Sequence, residues 1–312
     1  QDLLYQGDAE KWLKLAYGLK ARYTMHLLKR SANKDADMEK VLEYVNNSFE
    51  SAEEQAAFDV YDANNINPLY GFFVARAGLG ASESMRSKLA EYNDPRLSRA
   101  FITKQGTSGK EQAPGTADNA VYAPNGTPEQ GTSKYGTSLF MYSISAPTLL
   151  LSYHELKFLE AEALCRLERD AKSALKDAVV AGLLNAENSF TISRKELGKT
   201  LINAASSITE AEAESYFDNT IEAKYTAEPL KTTMTQKYFA LWGASGEATE
   251  SYNDVRRMKG LGENFIELKN PNSFPLRCPY GNSDTTTNAE VKAAYGNGQY
   301  VYSENVWWAG GS

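Results

Sequence analysis

The sequence predicts a mainly α-helical protein in which tetratricopeptide-like helix pairs carry long irregular loops. Three observations predict it. Apolar residues recur three or four positions apart in several separate stretches. Capping residues or a helix-compatible proline open some of these, at Asp8, Thr209 and Pro229. The stretches are separated by segments rich in Asn, Gly, Pro, Thr and Tyr that no helix period fits.

The first helix begins at Asp8, a suitable N-cap, and carries Trp12, Leu15, Ala16, Leu19, Tyr23 and Leu27 at helical spacing. Trp12-x-x-Leu15-Ala16-x-x-Leu19 follows the first helix of a tetratricopeptide pair, with Ala in place of the usual Gly. A second helix from about Asp35 carries Val41, Leu42, Val45 and Phe49. Asp59 to Arg76 and Gly106 to Ser138 then break the pattern with Pro68, Pro114, Pro124 and Asn125-Gly126. Excursions of that length are functional loops or disordered segments, so residues 59–138 form the expected ligand-binding region.

Tyr135 to Tyr153 contains no charge and is long enough to raise a membrane span. Thr137, Ser138, Ser143, Ser145, Pro147, Thr148 and Ser152 make it too polar, so it reads as a buried strand or loop leading into a helix. A second helical pair is expected from about Leu149 to Leu184. A third helix, Thr209 to Ala223, opens on the capping-box sequence Thr209-Glu-Ala-Glu212. After Pro229 a fourth helical region includes TQKYFALW, Thr235 to Trp242, where Gln236, Phe239, Ala240 and Gly243 have core spacing. This stretch is read as scaffold, with Arg256 and Arg257 forming surface or interhelix ion pairs. The tail after Lys269, with Pro271, Pro275 and Pro279, is expected to be mostly irregular.

Composition narrows the function. A chain of 312 residues fits one large domain or two ordinary ones, and a net charge of -7 supplies no field to attract nucleic acid or anionic lipid. Two cysteines, Cys165 and Cys278, allow at most one internal disulfide and no four-cysteine zinc site. Cys165 lies in an apolar helical pattern, as a buried inert thiol does. No cofactor is expected: the P-loop, dinucleotide and nucleophile-elbow motifs are missing, and Gly78-Leu-Gly80 lacks the rest of a fingerprint.

Only His26 and His154 carry imidazoles, and the zinc-protease pattern suggested by His154-Glu155 fails because residue 158 is Phe. Glu155 and Glu162 stand one heptad apart, about 10 Å by helical rise, but nothing in the sequence marks them as the desolvated acid pair of a glycosidase. Asn282, Asp284 and Asn288 offer oxygens to a cation but fit turn caps better, so no metal is assigned. Catalytic residues are likewise assigned to none.

The aromatic residues outside helical periodicity are more informative. Tyr61, Tyr70, Phe72, Phe73, Tyr122 and Tyr135 accompany Asn64, Asn65, Arg76 and Asn125. Rings and amides together suit stacking plus hydrogen bonding. The contact residues expected from this mixture are Tyr61, Asn64, Asn65, Tyr70, Phe72, Arg76, Tyr122, Asn125 and Tyr135.

Several segments in order resemble the SusD/RagB-like nutrient-binding outer-membrane lipoproteins. They are Gly7 to Met25, Asn67 to Phe73, Tyr92 to Leu97, Tyr153 to Leu164, Thr235 to Trp242 and Phe274 to Val291. The resemblance implies a SusD-like α-helical fold over residues 1–312 and a non-enzymatic role. It also implies capture of an oligosaccharide, or in some members a peptide, and delivery to a SusC-like TonB-dependent transporter. Family members begin with a lipid-bearing Cys and an additional helical portion, so the chain is expected to be the C-terminal part of one, meeting the outer membrane only through that anchor. A peptide- or protein-binding helical-repeat adaptor and a glycoside hydrolase are the alternatives.

Overall fold

The computed structural model describes residues 2–62, 64–76, 79–105, 111–115, 120–127, 134–243, 246–270 and 273–311. Helix α1, Ala9–His26, begins as predicted, with the Asp8 carboxylate accepting from the amides of Glu10 and Lys11. Helix α2, Lys34–Asn46, is capped by Asn33, and the short strand β1 follows at Ala56–Phe58.

The segment expected to be loop holds more order than its breakers suggest. It contains α3 (Pro68–Arg76), α4 (Glu83–Glu91), β2 (Phe101–Gln105), β3 (Glu111–Pro114) and β4 (Thr137–Ser138). Pro68 occupies the first helical position, where a missing N–H costs nothing, and the Asn67 side chain accepts from the Leu69 amide at 2.8 Å. Ser82 caps α4 by accepting from the Met85 amide at 3.2 Å. The strands form an antiparallel sheet in the order β3-β2-β4. Residues 106–110, 116–119 and 128–133 of the expected loop region, and Gly78, lie outside the described residues.

Leu149, expected in a helix, lies in strand β5 (Thr148–Leu151), which pairs antiparallel with β1. Ser152 ends that strand and accepts from the Glu155 amide at 3.0 Å, which delays the start of α5 to Tyr153–Arg166. Helix α6, Lys172–Leu197, runs beyond the predicted Leu184. Helix α7, Glu210–Tyr216, takes its cap from Thr209 as expected and passes through a π turn, Phe217–Ile221, into α8, Glu222–Ala227. Helices α9, Pro229–Ala240, and α10, Ala248–Leu261, complete the frame. Two short helices, α11 (Asn282–Thr287) and α12 (Ala289–Tyr295), interrupt the tail. Asn288 caps the second of them. Pro271 lies outside the described residues.

Helix α5 is the axis of the fold, packed against α2, α6 and α9. It buries Leu156, Phe158, Leu159, Ala161 and Ala163, and one apolar core lies on either side of it. The α6–α9 contact is close because Gly182 has no side chain there: a Cβ would stand 2.9 Å from the Ala240 Cβ. Helix α1 buries a different stripe from the predicted one. Leu15, Gly18, Ala21, Arg22 and Met25 face inward, while Trp12, Tyr23 and Leu27 are exposed. Gly18 sets that face, because a Cβ there would collide with Leu151 and Ser48. Among the described residues, no helix is long and apolar enough to cross a membrane.

Candidate ligand-binding site

The expected contact residues fall into separate groups. In the first, Asp62 Oδ1 accepts from the amides of Asn64 and Asn65, both at 2.7 Å, and the turn it organises leaves both asparagines exposed. Tyr61 is held back from this edge. Its hydroxyl bonds Thr148 and its ring packs edge-on against Phe58, with centroids 5.0 Å apart.

The second group sits on α3 and not on a loop, a correction with a geometric consequence. Helical spacing separates the two adjacent phenylalanines: Phe73 packs edge-on against Tyr142 at 5.1 Å, while Phe72 is 52% exposed. Arg76, four residues on from Phe72, is exposed as well. Tyr70 is half-buried, and burial followed by the field of Glu196 raises its hydroxyl pKa.

The third group surrounds the β3-β2-β4 sheet. Tyr122 packs edge-on against Phe101 at 5.3 Å, and the Arg86 guanidinium lies 5.6 Å from its ring centre. Asn125 accepts from the Ser82 hydroxyl at 3.2 Å. Tyr135, expected as an exposed loop aromatic, is only 8% exposed. It stands just before β4, and the Lys134 ammonium lies 5.2 Å from its ring centre.

Beside Asn125 opens a cleft of about 730 Å³ between α4, α9 and residues 264–269, a volume typical of small-ligand sites. Tyr92 and Phe239, packed edge-on at 5.3 Å, line its depth. Around them stand charged side chains of both signs together with Ser84, Ser87 and Asn264. Lys88 is half-buried here and donates to the Ser84 hydroxyl at 2.6 Å. Burial lowers its pKa; the field of Glu267 opposes that shift, Lys269 adds to it, and Glu91 opposes it.

The carboxylates weighed as a catalytic pair belong to the scaffold. Nothing in their local sequence signals desolvation, yet Glu155 and Glu162 are both 0% exposed. Glu155 accepts twice from Arg22, with Nε at 2.9 Å. Glu162 accepts from Arg166 Nε at 2.8 Å and twice from Arg257. Its pKa is therefore held down against the effect of burial, chiefly by Arg257 and then Arg166. Asp254 extends the network, accepting from Arg257 at 2.7 Å and pairing with buried Lys237 at 2.8 Å. Arg257 thus forms an interhelix pair deep in the core, whereas Arg256 reaches the Leu276 carbonyl and covers Trp308.

Both histidines are likewise structural. His26 Nε2 lies 2.7 Å from Glu250 at the edge of packing. His154 is buried, and burial, then Arg96 and Lys237, lower its pKa to about 3, so it is neutral. Among the described residues no cluster suits a metal ion. Cys165 and Cys278 are free thiols, and burial raises the pKa of Cys165.

Sequence reasoning missed the cleft except for Asn125. Tyr92 stands out in the sequence only as part of a family segment. Lys88 reads as an ordinary solvent-facing lysine on α4, and Asn264 follows a helix-ending glycine in a segment with no period. Their convergence is a tertiary fact without a local signal.

A family model for SusD-like proteins, described as starch-binding and associating with the outer membrane, matches residues 1–280. A SusD/RagB family protein from Bacteroides thetaiotaomicron is 66% identical, with a TM-score of 0.94, over 100% of this chain and 67% of its own. A SusD homolog from Bacteroides fragilis is 19% identical, with a TM-score of 0.72, over 99% of this chain and 69% of its own. A SusD homolog from Bacteroides uniformis is 20% identical, with a TM-score of 0.64, over 99% of this chain and 66% of its own. The last two show likeness of fold alone. No curated protein matches the chain.

Proposed function

The chain belongs to the SusD-like family, and from that premise we propose that it captures oligosaccharide at the cell surface and passes it, unaltered, to a SusC-like TonB-dependent transporter. In this reading it is a lipoprotein of the outer membrane, and residues 1–312 act as one domain. The observation that carries the proposal is the family match over residues 1–280, to a family described as starch-binding and associated with the outer membrane.

The geometry supports it in two ways. Phe72 and Arg76 stand exposed on one side of α3, near-neighbour positions from which a ring face can stack on a sugar while a guanidinium donates to its hydroxyls. Asn64, Asn65 and Asn125 add carboxamides that both donate and accept, and Tyr61, Tyr70 and Tyr122, each half-buried, lend partly exposed ring surface. Tyr135 is buried and offers little surface to a ligand. The acidic side chains most suggestive of hydrolysis are spent on arginine pairs inside the frame, which favours capture over cleavage.

Calorimetric titration with neutral and acidic oligosaccharides and short peptides, followed by chromatography of each mixture, tests the proposal. Saturable oligosaccharide binding without new products is expected. Weakening by Phe72→Ala would assign the α3 surface. New products would overturn the non-enzymatic reading, and binding confined to peptides would replace the cargo.

A further inference from the structure

The cleft between α4, α9 and residues 264–269 contains lysines in two different situations. Lys231 pairs with Glu228 at 2.8 Å, and Lys269 pairs with Glu267. Lys88 has no carboxylate within 4.0 Å among the described residues, and its acceptor is the neutral Ser84 hydroxyl. An ammonium has three donors, so two are left to a ligand. Lys88 is also half-buried, and a cation partly withdrawn from water gains more from an anionic partner than an exposed one does.

The rest of the lining says what else the ligand must carry. Glu83, Glu91 and Glu267 border the same space. They would repel a compact multiply charged anion such as phosphate, but they accept hydrogen bonds from neighbouring hydroxyls. Asn125 and Asn264 add groups that donate and accept, and the Tyr92 and Phe239 rings supply apolar depth. One fixed cation among hydroxyl-directed groups selects a polyhydroxylated ligand bearing an isolated negative charge. The chain's net charge of -7 further disfavours a continuous polyanion.

We propose that this cleft binds an acidic sugar residue, with Lys88 Nζ meeting the carboxylate of a uronic acid or the sulfate of a sulfated sugar. This rests on the reading of the protein as a glycan-capture protein and narrows its cargo.

The test uses a neutral oligosaccharide and its counterparts carrying one uronic acid, the methyl ester of that acid, or one sulfate. Each is titrated into the protein and into Lys88→Gln and Lys88→Arg. An acidic counterpart should bind about tenfold tighter than the ester at low salt, the yield of one charge-assisted hydrogen bond. The preference should vanish in Lys88→Gln, survive largely in Lys88→Arg, and shrink at about 0.5 M salt. Whichever of uronate and sulfate shows it identifies the acidic group. Equal binding of acid and ester, or a preference unchanged in Lys88→Gln, overturns the inference. If neutral oligosaccharides bind in that case, glycan capture stands and only the acidic subsite falls. Failure of every sugar to bind overturns both.

Discussion

Replacing Glu247 with glutamine should make the protein more stable above neutral pH, and by an amount that grows with pH. The Glu247 and Glu155 side chains are both 0% exposed, and one guanidinium, that of Arg22, serves both. Arg22 is committed to Glu155 and stands 3.6 Å from Glu247. His154, 3.8 Å from the other Glu247 oxygen, is neutral and contributes no charge. Two ionised carboxylates against one cation would leave an uncompensated charge in the core. Burial, and then the field of Glu155, therefore raise the Glu247 pKa well above its usual range and favour the protonated carboxyl in the folded state.

The folded state thus binds one more proton than the unfolded state once the unfolded glutamate ionises. Stability falls as pH rises from the unfolded pKa through the folded one, with a limiting slope of about 1.4 kcal/mol per pH unit. The carboxamide that Glu247→Gln introduces is neutral at every pH, and its oxygen can still accept from the Ser152 amide, as the Glu247 carboxyl does. Urea unfolding of both proteins at several pH values measures the difference. A gap between Glu247→Gln and the parent that does not widen as pH rises above the ordinary carboxylate range would refute the raised pKa.

Other outcomes follow from the same packing. Arg257→Met should destabilise by about 3–5 kcal/mol in urea unfolding, because it leaves the buried Glu162 and Asp254 carboxylates short of a partner. Phe73→Ala should cost about 3–5 kcal/mol, the usual cost of emptying a core phenylalanine site, whereas exposed Phe72→Ala should leave the midpoint almost unmoved while weakening sugar binding. Gly246→Ala should lower the thermal midpoint. That residue has φ +92° and a Cβ would run into the Leu149 carbonyl, a strain of about 1–3 kcal/mol.

Much of the frame was legible before folding is considered, because it is written in local chemistry. Asp8 and Thr209 cap the helices they precede, and Pro229 opens α9. A cap needs only amides two or three residues away, so short-range sequence suffices. The order of segments likewise pointed to the right family. What local chemistry did not convey was which side of each element is buried. Ser152 ended a strand and started a helix within an uncharged run, and Pro68 opened a helix where breakers suggested loop.

The candidate surface was legible only in part for the same reason. The sequence supplied rings and carboxamides, but the turn of α3 exposed Phe72 and buried Phe73, and Tyr135, just before β4, is buried. The charged core was legible only in the suggestion of an interhelix pair at Arg257. Arg22, Glu155, Glu162 and Lys237 carry no local sign of burial, and Arg257 reads as a surface or an interhelix pair alike, since an isolated charge does not stay in a dry interior. They are buried because partners far away in the chain meet them there: Arg22 reaches Glu155 across 133 positions and Arg257 reaches Glu162 across 95. By itself the sequence determined the longer helices of the frame, the openings at Asp8, Thr209 and Pro229, and the family. Only the tertiary structure decided which charges could leave water, because that depends on a counter-charge delivered by a distant segment.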